Sequence, residues 1–273
     1  RTFMYDFYFG SRRDIVENPE DFLIFCKRLL PRWVNGIPDS ECIAIWRILQ
    51  SMDEKKPLLV ETGSGASSLV LFLHAALTGG KLFSWDTNGS KGAFLRQVVS
   101  DAMCRVLEVD LHKIWTFISF DSTDKHVGIN VLSELGFQAD FGFFDSWHTL
   151  DHLAAEIEVF ERITSPSFYI ALDDAYYDRR HHNYAFVNMI RRKLNLPSVE
   201  ETNENRCEPF YIEIETYLKS KYSQVEKIAD EYKNRYADDI FFEYFKADRV
   251  SMNKVGMEKS DLLEHRFDAW VIK

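Results

Sequence analysis

The sequence predicts an α/β chain: a mostly parallel, seven-stranded sheet with helices on both faces, a helical addition at the N-terminus and a helical insertion before the last two strands. Two observations predict it. From Pro57 onward, short apolar runs of strand length alternate with longer segments of helical period, the signature of βαβ units. The first of these runs, Leu58-Leu59-Val60, passes through a turn with glycines two apart, Gly63 and Gly65, into an apolar helix near Leu69.

Before any strand, Phe22, Leu23, Phe25, Cys26, Leu29 and Leu30 share one helical stripe over residues 20–30, and Cys42, Ile45, Trp46 and Leu49 share another over 41–52. Asp39-Ser40, after Pro38, offers an N-cap for the second helix. Residues 1–56 therefore read as a helical extension packed on a domain that occupies 57–273. Strands are expected at 58–61, 81–86, 115–120, 140–145, 168–173, 240–246 and 267–272. Between them, Phe94, Leu95, Val98, Val99, Ala102 and Val106 mark one helical face, and Leu150, Leu153, Ala154, Ile157, Phe160 and Ile163 mark another. The segment 211–237, rich in both signs of charge, reads as a long solvated helix. Arg191-Arg192-Lys193 reads as a basic helix C-terminus. No internal repeat or low-complexity tract interrupts this order.

The 273 residues suffice for one elaborated domain with a large core. With 33 Lys and Arg against 43 Asp and Glu, the formal charge is −10, which disfavours nucleic acid and acidic membrane surfaces as partners. The aromatic share of 15% fits a filled core and flat-walled pockets better than a solvating segment. Cys26, Cys42, Cys104 and Cys207 form no Cys-x-x-Cys pair, which argues against zinc or a disulfide framework and for a reducing compartment. No apolar run is long enough to span a bilayer, and Arg1-Thr2-Phe3-Met4 lacks the layout of a secretory signal, so a cytoplasmic location is expected. An opening arginine also suggests that the natural chain begins upstream.

Chemistry is carried first by the turn Glu61-Thr62-Gly63-Ser64-Gly65-Ala66-Ser67-Ser68. Glycines at this strand-to-helix junction let the backbone pass close to a ligand, and the helix N-terminus offers free N–H groups. A merely tight βα loop would look the same. Strand two then ends in Trp85-Asp86, about 20 residues past the glycines, where a carboxylate can accept both hydroxyls of a ribose. Nicotinamide dehydrogenases and methyltransferases both satisfy these two features. Here the turn opens on an acidic residue, Glu61, and Ser67 stands in place of a third glycine.

Glu61-Thr-Gly-Ser-Gly-Ala-Ser resembles the first motif of class I S-adenosylmethionine methyltransferases, and Asp86 matches the acidic residue at the end of their second strand. The resemblance implies a Rossmann-like domain that binds S-adenosylmethionine at the turn comprising Glu61, Gly63, Gly65 and Ser67. It implies that Gly63 and Gly65 lie against the methionine portion, that Glu61 helps hold its amino group, and that Asp86 holds the ribose. Asp121-Ser122, after strand three, falls where the family contacts adenine, and the resemblance places Asp145 too at the border of the cofactor.

Strand four ends Phe143-Phe144-Asp145-Ser146-Trp147-His148, and strand five ends Ala171-Leu172-Asp173-Asp174. Neighbouring parallel strands deliver their carboxyl ends to one crevice, so these three carboxylates converge. A hard divalent cation, Mg²⁺, is the simplest remedy for their repulsion. Alternatively, Asp145 and Asp173 cap the helices that follow and Asp174 faces solvent. The two stretches resemble the metal-dependent O-methyltransferases related to catechol O-methyltransferase and to the macrolide-sugar and cephalosporin-pathway enzymes. That resemblance implies Asp145, Asp173 and Asp174 as metal ligands and His148 as general base. Phe144-Asp-Ser-Trp-His-Thr-Leu-Asp departs from the family's Asp-Gly-x-His-x-Tyr segment at Ser146 and Leu150. Residues 57 to 190 carry the resemblance.

Tyr176-Tyr177-Asp178-Arg179-Arg180-His181-His182 should overhang the same crevice and suits a small, flat or anionic acceptor, although a solvated loop would read the same. The expected activity is O-methylation of a small molecule. A metal-independent or N-directed methyltransferase, a nicotinamide-dependent oxidoreductase and a non-catalytic nucleotide-binding module stay open as alternatives, and a homo-oligomer is compatible with all of them.

Overall fold

The computed structural model describes residues 10–31, 33–37, 39–147, 150–173, 191–192, 195–198, 210–228 and 268–273. Helices α1 (Arg12–Glu17), α2 (Pro19–Leu29) and α3 (Asp39–Gln50) come first. There follow β1 (Leu58–Thr62), α4 (Ala66–Thr78), β2 (Lys81–Trp85), α5 (Gly89–Val99), β3 (Trp115–Ile118), β4 (Ala139–Phe144), α6 (Leu150–Glu161), β5 (Thr164–Leu172), α7 (Phe210–Lys221), β6 (Val225–Lys227) and β7 (Asp268–Ile272), with shorter helical turns between. The strands form a seven-stranded sheet in the order β3-β2-β1-β4-β5-β7-β6. The first five are parallel, and β7 runs antiparallel to both β5 and β6. The fold is thus the Rossmann-like, mostly parallel sheet expected from the sequence.

Alternation along β1 explains why helices cover both faces. Leu59 belongs to a core with Leu69, Val70 and Phe72 of α4, into which α2 and α3 deliver Phe22, Leu23, Cys26, Ile45 and Leu49. Leu58 and Val60 belong to the opposite core, with Ile157 and Phe160 of α6 and Ile214 and Leu218 of α7. The N-terminal helices therefore bury their apolar stripes on the outside of α4, except for Leu29, expected on the first stripe, which ends α2 exposed. Asp39 opens α3, and its carboxylate takes Lys27 Nζ at 3.1 Å and Arg28 at 2.5 Å from α2. Lys27 is fully buried, and a buried ammonium needs such a counter-charge, so the side chain expected to cap the helix serves an ion pair.

The helix beginning at α5 continues through a π turn, Ser100–Cys104, to Leu107. Leu95, Val99, Met103 and Leu107, spaced by four, are all fully buried. An unbroken α-helix would rotate such a row off the sheet, and the wider turn keeps it facing inward.

The end of the chain departs from expectation. The segment 211–237 was expected to be one helix, but α7 stops at Lys221 and the sixth strand is Val225–Lys227. Pairing decides this: Val225 faces Ile272 and Lys227 faces Trp270 of β7, and Lys227 Nζ lies 2.9 Å from the fully buried Asp268. The strand expected at 240–246 lies outside the described residues. No helix among the described residues is long and apolar enough to cross a membrane.

Candidate functional site

Strand order reverses between β1 and β4, and the loops that leave these two strands frame the crevice where open α/β sheets bind ligands. Thr62 pairs with Phe144, and Asp145 N donates to Thr62 O at 2.9 Å. Gly63 follows with φ +77°, and a Cβ placed on it would lie 1.8 Å from Asp145 O. Glycine is therefore required here by the meeting of two strand ends as well as by conformation. Gly63 N donates to Trp85 O at 2.8 Å, which ties the turn to β2. Gly65 precedes α4 in an extended conformation, and its absent Cβ would meet Val34 O at 3.2 Å. The connection between α2 and α3 thus walls one side of the glycine turn.

Glu61, the acidic opening of the turn, is fully buried. Its carboxylate accepts hydroxyl donations from Ser67 at 2.6 Å, Ser68 at 2.7 Å and Ser84 at 2.8 Å, and Trp115 Nε1 donates to Ser84 Oγ at 2.9 Å. Burial raises the Glu61 pKa, while the three hydroxyl donors pull it down. Ser67 is fully buried as well. The two side chains expected at the cofactor bind each other and lock α4 against β1 and β2. Ser68 closes the turn in sequence, whereas Ser84 and Trp115 carry no motif, and nothing in the sequence singles out any of the three as a partner of Glu61.

Asp86 stands beside the glycine turn. Its Oδ2 accepts Ser64 N at 3.0 Å and Lys91 Nζ at 3.0 Å, and its Oδ1 accepts Asn88 N at 2.8 Å. One carboxylate therefore bridges the ends of β1 and β2, with a side chain 10% exposed. Sequence reading identified Asp86 but not Lys91, which shares the first turn of α5 with the cap residue Asn88.

Asp121 is exposed and accepts Thr123 N at 2.8 Å and Thr123 Oγ1 at 2.7 Å; the Thr123 hydroxyl holds its pKa low. Ser122 turns inward, 4% exposed, and donates to Glu156 Oε1 on α6. Ser146 Oγ donates to the same oxygen at 2.8 Å, and His152 Nε2 lies 3.4 Å from it. The Glu156 carboxylate raises the His152 pKa, with burial opposing and Asp121 adding to the rise. Sequence reading placed Ser122 at the crevice and missed Glu156 and His152. Their i,i+4 spacing on the helix after strand four is the signal that could have found them.

Asp145 and Asp173 leave the neighbouring strands β4 and β5 side by side. Phe144 pairs with Leu172, and Asp173 N donates to Phe144 O at 3.2 Å. Asp173 is buried and Asp145 is half-buried. Asp174, His148 and residues 176–182 lie outside the described residues. Among the described residues, no group of three or more His, Cys, Asp or Glu side chains is arranged to hold a metal ion.

No family model matches the chain, and no curated protein matches it. In fold the chain is similar to solved methyltransferases. An O-methyltransferase from Bacillus cereus, in complex with S-adenosylhomocysteine, shares 12% identity over 99% of this chain and 100% of its own, with a TM-score of 0.48. An S-adenosylmethionine-dependent methyltransferase from Geobacter sulfurreducens, also in complex with S-adenosylhomocysteine, shares 13% over 92% of this chain and 96% of its own, with a TM-score of 0.45. A TDP-rhamnose 3′-O-methyltransferase of calicheamicin biosynthesis shares 15% over 70% of this chain and 89% of its own, with a TM-score of 0.41. These identities are too low to carry any residue's role across.

Proposed function

We propose that this chain is an S-adenosylmethionine-dependent methyltransferase acting on a small molecule, and that it methylates oxygen with the help of a divalent cation. The observation that carries the reading is the pairing of Asp86 with the glycine turn: a carboxylate at the end of β2 receives the Ser64 amide at the topological switch point. That arrangement sets a ribose acceptor beside backbone that only glycine can supply. Gly63, Ser64 and Gly65 would face the amino-acid portion of the cofactor, and Asp86 would accept the ribose hydroxyls in place of the Lys91 ammonium. Glu61 supports the turn from behind. Asp121 and the Ser122 backbone would border the adenine.

The donor chemistry of the neighbouring strand ends suits a hard cation. Asp145 and Asp173 directly follow the paired ends of adjacent strands, and Asp174 follows in sequence. Bound there, Mg²⁺ would lower the pKa of an acceptor hydroxyl, and bound S-adenosylmethionine would supply the methyl group from its sulfonium. The residues of the chain do the remainder. Asp145 and Asp173 orient the acceptor oxygen, His148 takes its proton, and the crevice aligns it for in-line displacement.

Calorimetric titration with S-adenosylmethionine, S-adenosylhomocysteine and NAD in parallel tests the reading. Binding of the two sulfur nucleotides without NAD is the expected result. Binding of NAD alone would turn the assignment to a nicotinamide-dependent oxidoreductase. Turnover that persists with excess chelator would keep the methyltransferase and remove the metal.

A further inference from the structure

Ser122 stands on the loop after β3 and Ser146 on the loop after β4, yet both hydroxyls donate to one oxygen, Glu156 Oε1. His152 Nε2, one turn earlier on α6, lies 3.4 Å from that oxygen. Glu156 is 1% exposed and Ser122 4% exposed, so the shared carboxylate lies out of water, where charge-assisted hydrogen bonds are strong and a lost partner leaves it poorly satisfied. Its support is rigid. Ile157 and Phe160, next along the same helix, are fully buried in the sheet core. The loops themselves reach the crevice, since Ser122 adjoins Asp121, and Ser146 lies between Asp145 and Trp147, which is 68% exposed.

We propose that Glu156 is a positioning residue that holds the two crevice loops in one relation, so that order on the cofactor side is transmitted to the acceptor side. The roles of the two loops rest on the methyltransferase reading, whereas the link between them does not. Because the hydroxyls share an acceptor, withdrawing either one changes the position of the carboxylate that the other sees. The energetics of the two loops are then coupled, as expected for groups in one network. A crevice built this way lets adenine contact at the loop after β3 set the loop that carries Asp145.

Hydrogen exchange at residues 119–124 and 145–147 tests the link in the wild type, Ser122→Ala and Ser146→Ala, each with and without S-adenosylhomocysteine. Each substitution is expected to raise exchange in both loops, and the ligand is expected to protect both loops of the wild type together. A second, separate readout of the positioning role is affinity. Well below the melting temperature, Glu156→Ala should bind S-adenosylhomocysteine about tenfold more weakly, and Glu156→Gln, which keeps an acceptor oxygen in place, should recover most of the loss. Exchange that rises only in the substituted loop would overturn the proposal, as would equal affinities for the wild type and Glu156→Ala. If the wild type binds no S-adenosylhomocysteine, the methyltransferase reading fails, and exchange in the two ligand-free serine variants still decides the link.

Discussion

Gly63 and Asp145 belong to different βα units, and a side chain on the first would strike the backbone oxygen of the second at 1.8 Å. The glycine turn is therefore shaped from within the protein before any ligand arrives. With φ at +77°, Gly63 is also in a conformation that L side chains rarely adopt.

Replacing Gly63 by alanine should consequently cost roughly 2–4 kcal/mol of stability, through strain and through separation of the β1 and β4 loops. Gly65→Ala, whose new Cβ would meet Val34 O at 3.2 Å in an extended backbone, should cost only about 1 kcal/mol. Urea unfolding midpoints measure both. Equal costs at the two positions would refute the distinction.

Asp86→Ala should weaken S-adenosylhomocysteine binding by about 1.5–3 kcal/mol, because a charged acceptor for the ribose is removed. Lys91→Ala, which removes one of the two donors to Asp86 Oδ2 and keeps the Ser64 amide, should leave affinity undiminished. Isothermal titration distinguishes the two, and unchanged binding in a folded Asp86→Ala protein would take Asp86 out of the site.

Glu61→Ala leaves three serine hydroxyls without their common acceptor in a fully buried position. A loss of about 3 kcal/mol is expected from chemical denaturation, since broken buried networks fall in this range. Wild-type stability in this variant would show that the hydroxyls find other partners at no cost.

His74 is buried beside Trp46 and Gln50, and burial lowers its pKa from 6.5 to about 4. Between these values the unfolded chain takes up a proton that the native chain refuses. Stability should therefore fall as pH drops from 6.5 to about 4, by up to about 3 kcal/mol, and this contribution should level off below that range. Thermal unfolding of wild type and His74→Gln across this pH interval checks it, and identical slopes in both would assign the effect elsewhere.

Mg²⁺ bound by Asp145 and Asp173 should raise the melting temperature of the wild type, because a ligand of the native state alone stabilises it, and Asp173→Asn should reduce that gain. His148→Ala should lower kcat by roughly 10²–10⁴ with cofactor affinity retained. A metal-indifferent wild type together with an active His148→Ala enzyme would leave methyl transfer by alignment alone.

The sequence by itself determined the parallel sheet, the placement of β1 to β5 and β7, the helices that flank them and the position of Asp86. These features are written in local periodicity and in glycine spacing, which report how often a side chain returns to a buried face. Tertiary structure alone decided the rest. Residues 225–227 belong to a charged segment that reads as helix, yet an open edge on β7 and the buried Asp268 draw them into the sheet. The acid of the glycine turn is read from its motif, but that three serines, two on α4 and one on β2, close around it is visible only in the fold. Ser122 and Glu156 meet across 34 positions, and Ser146 joins them from a third element. A hydrogen-bond donor carries no mark in sequence of which distant acceptor it will find, because the partner is chosen by how the strands are ordered and the helices are packed.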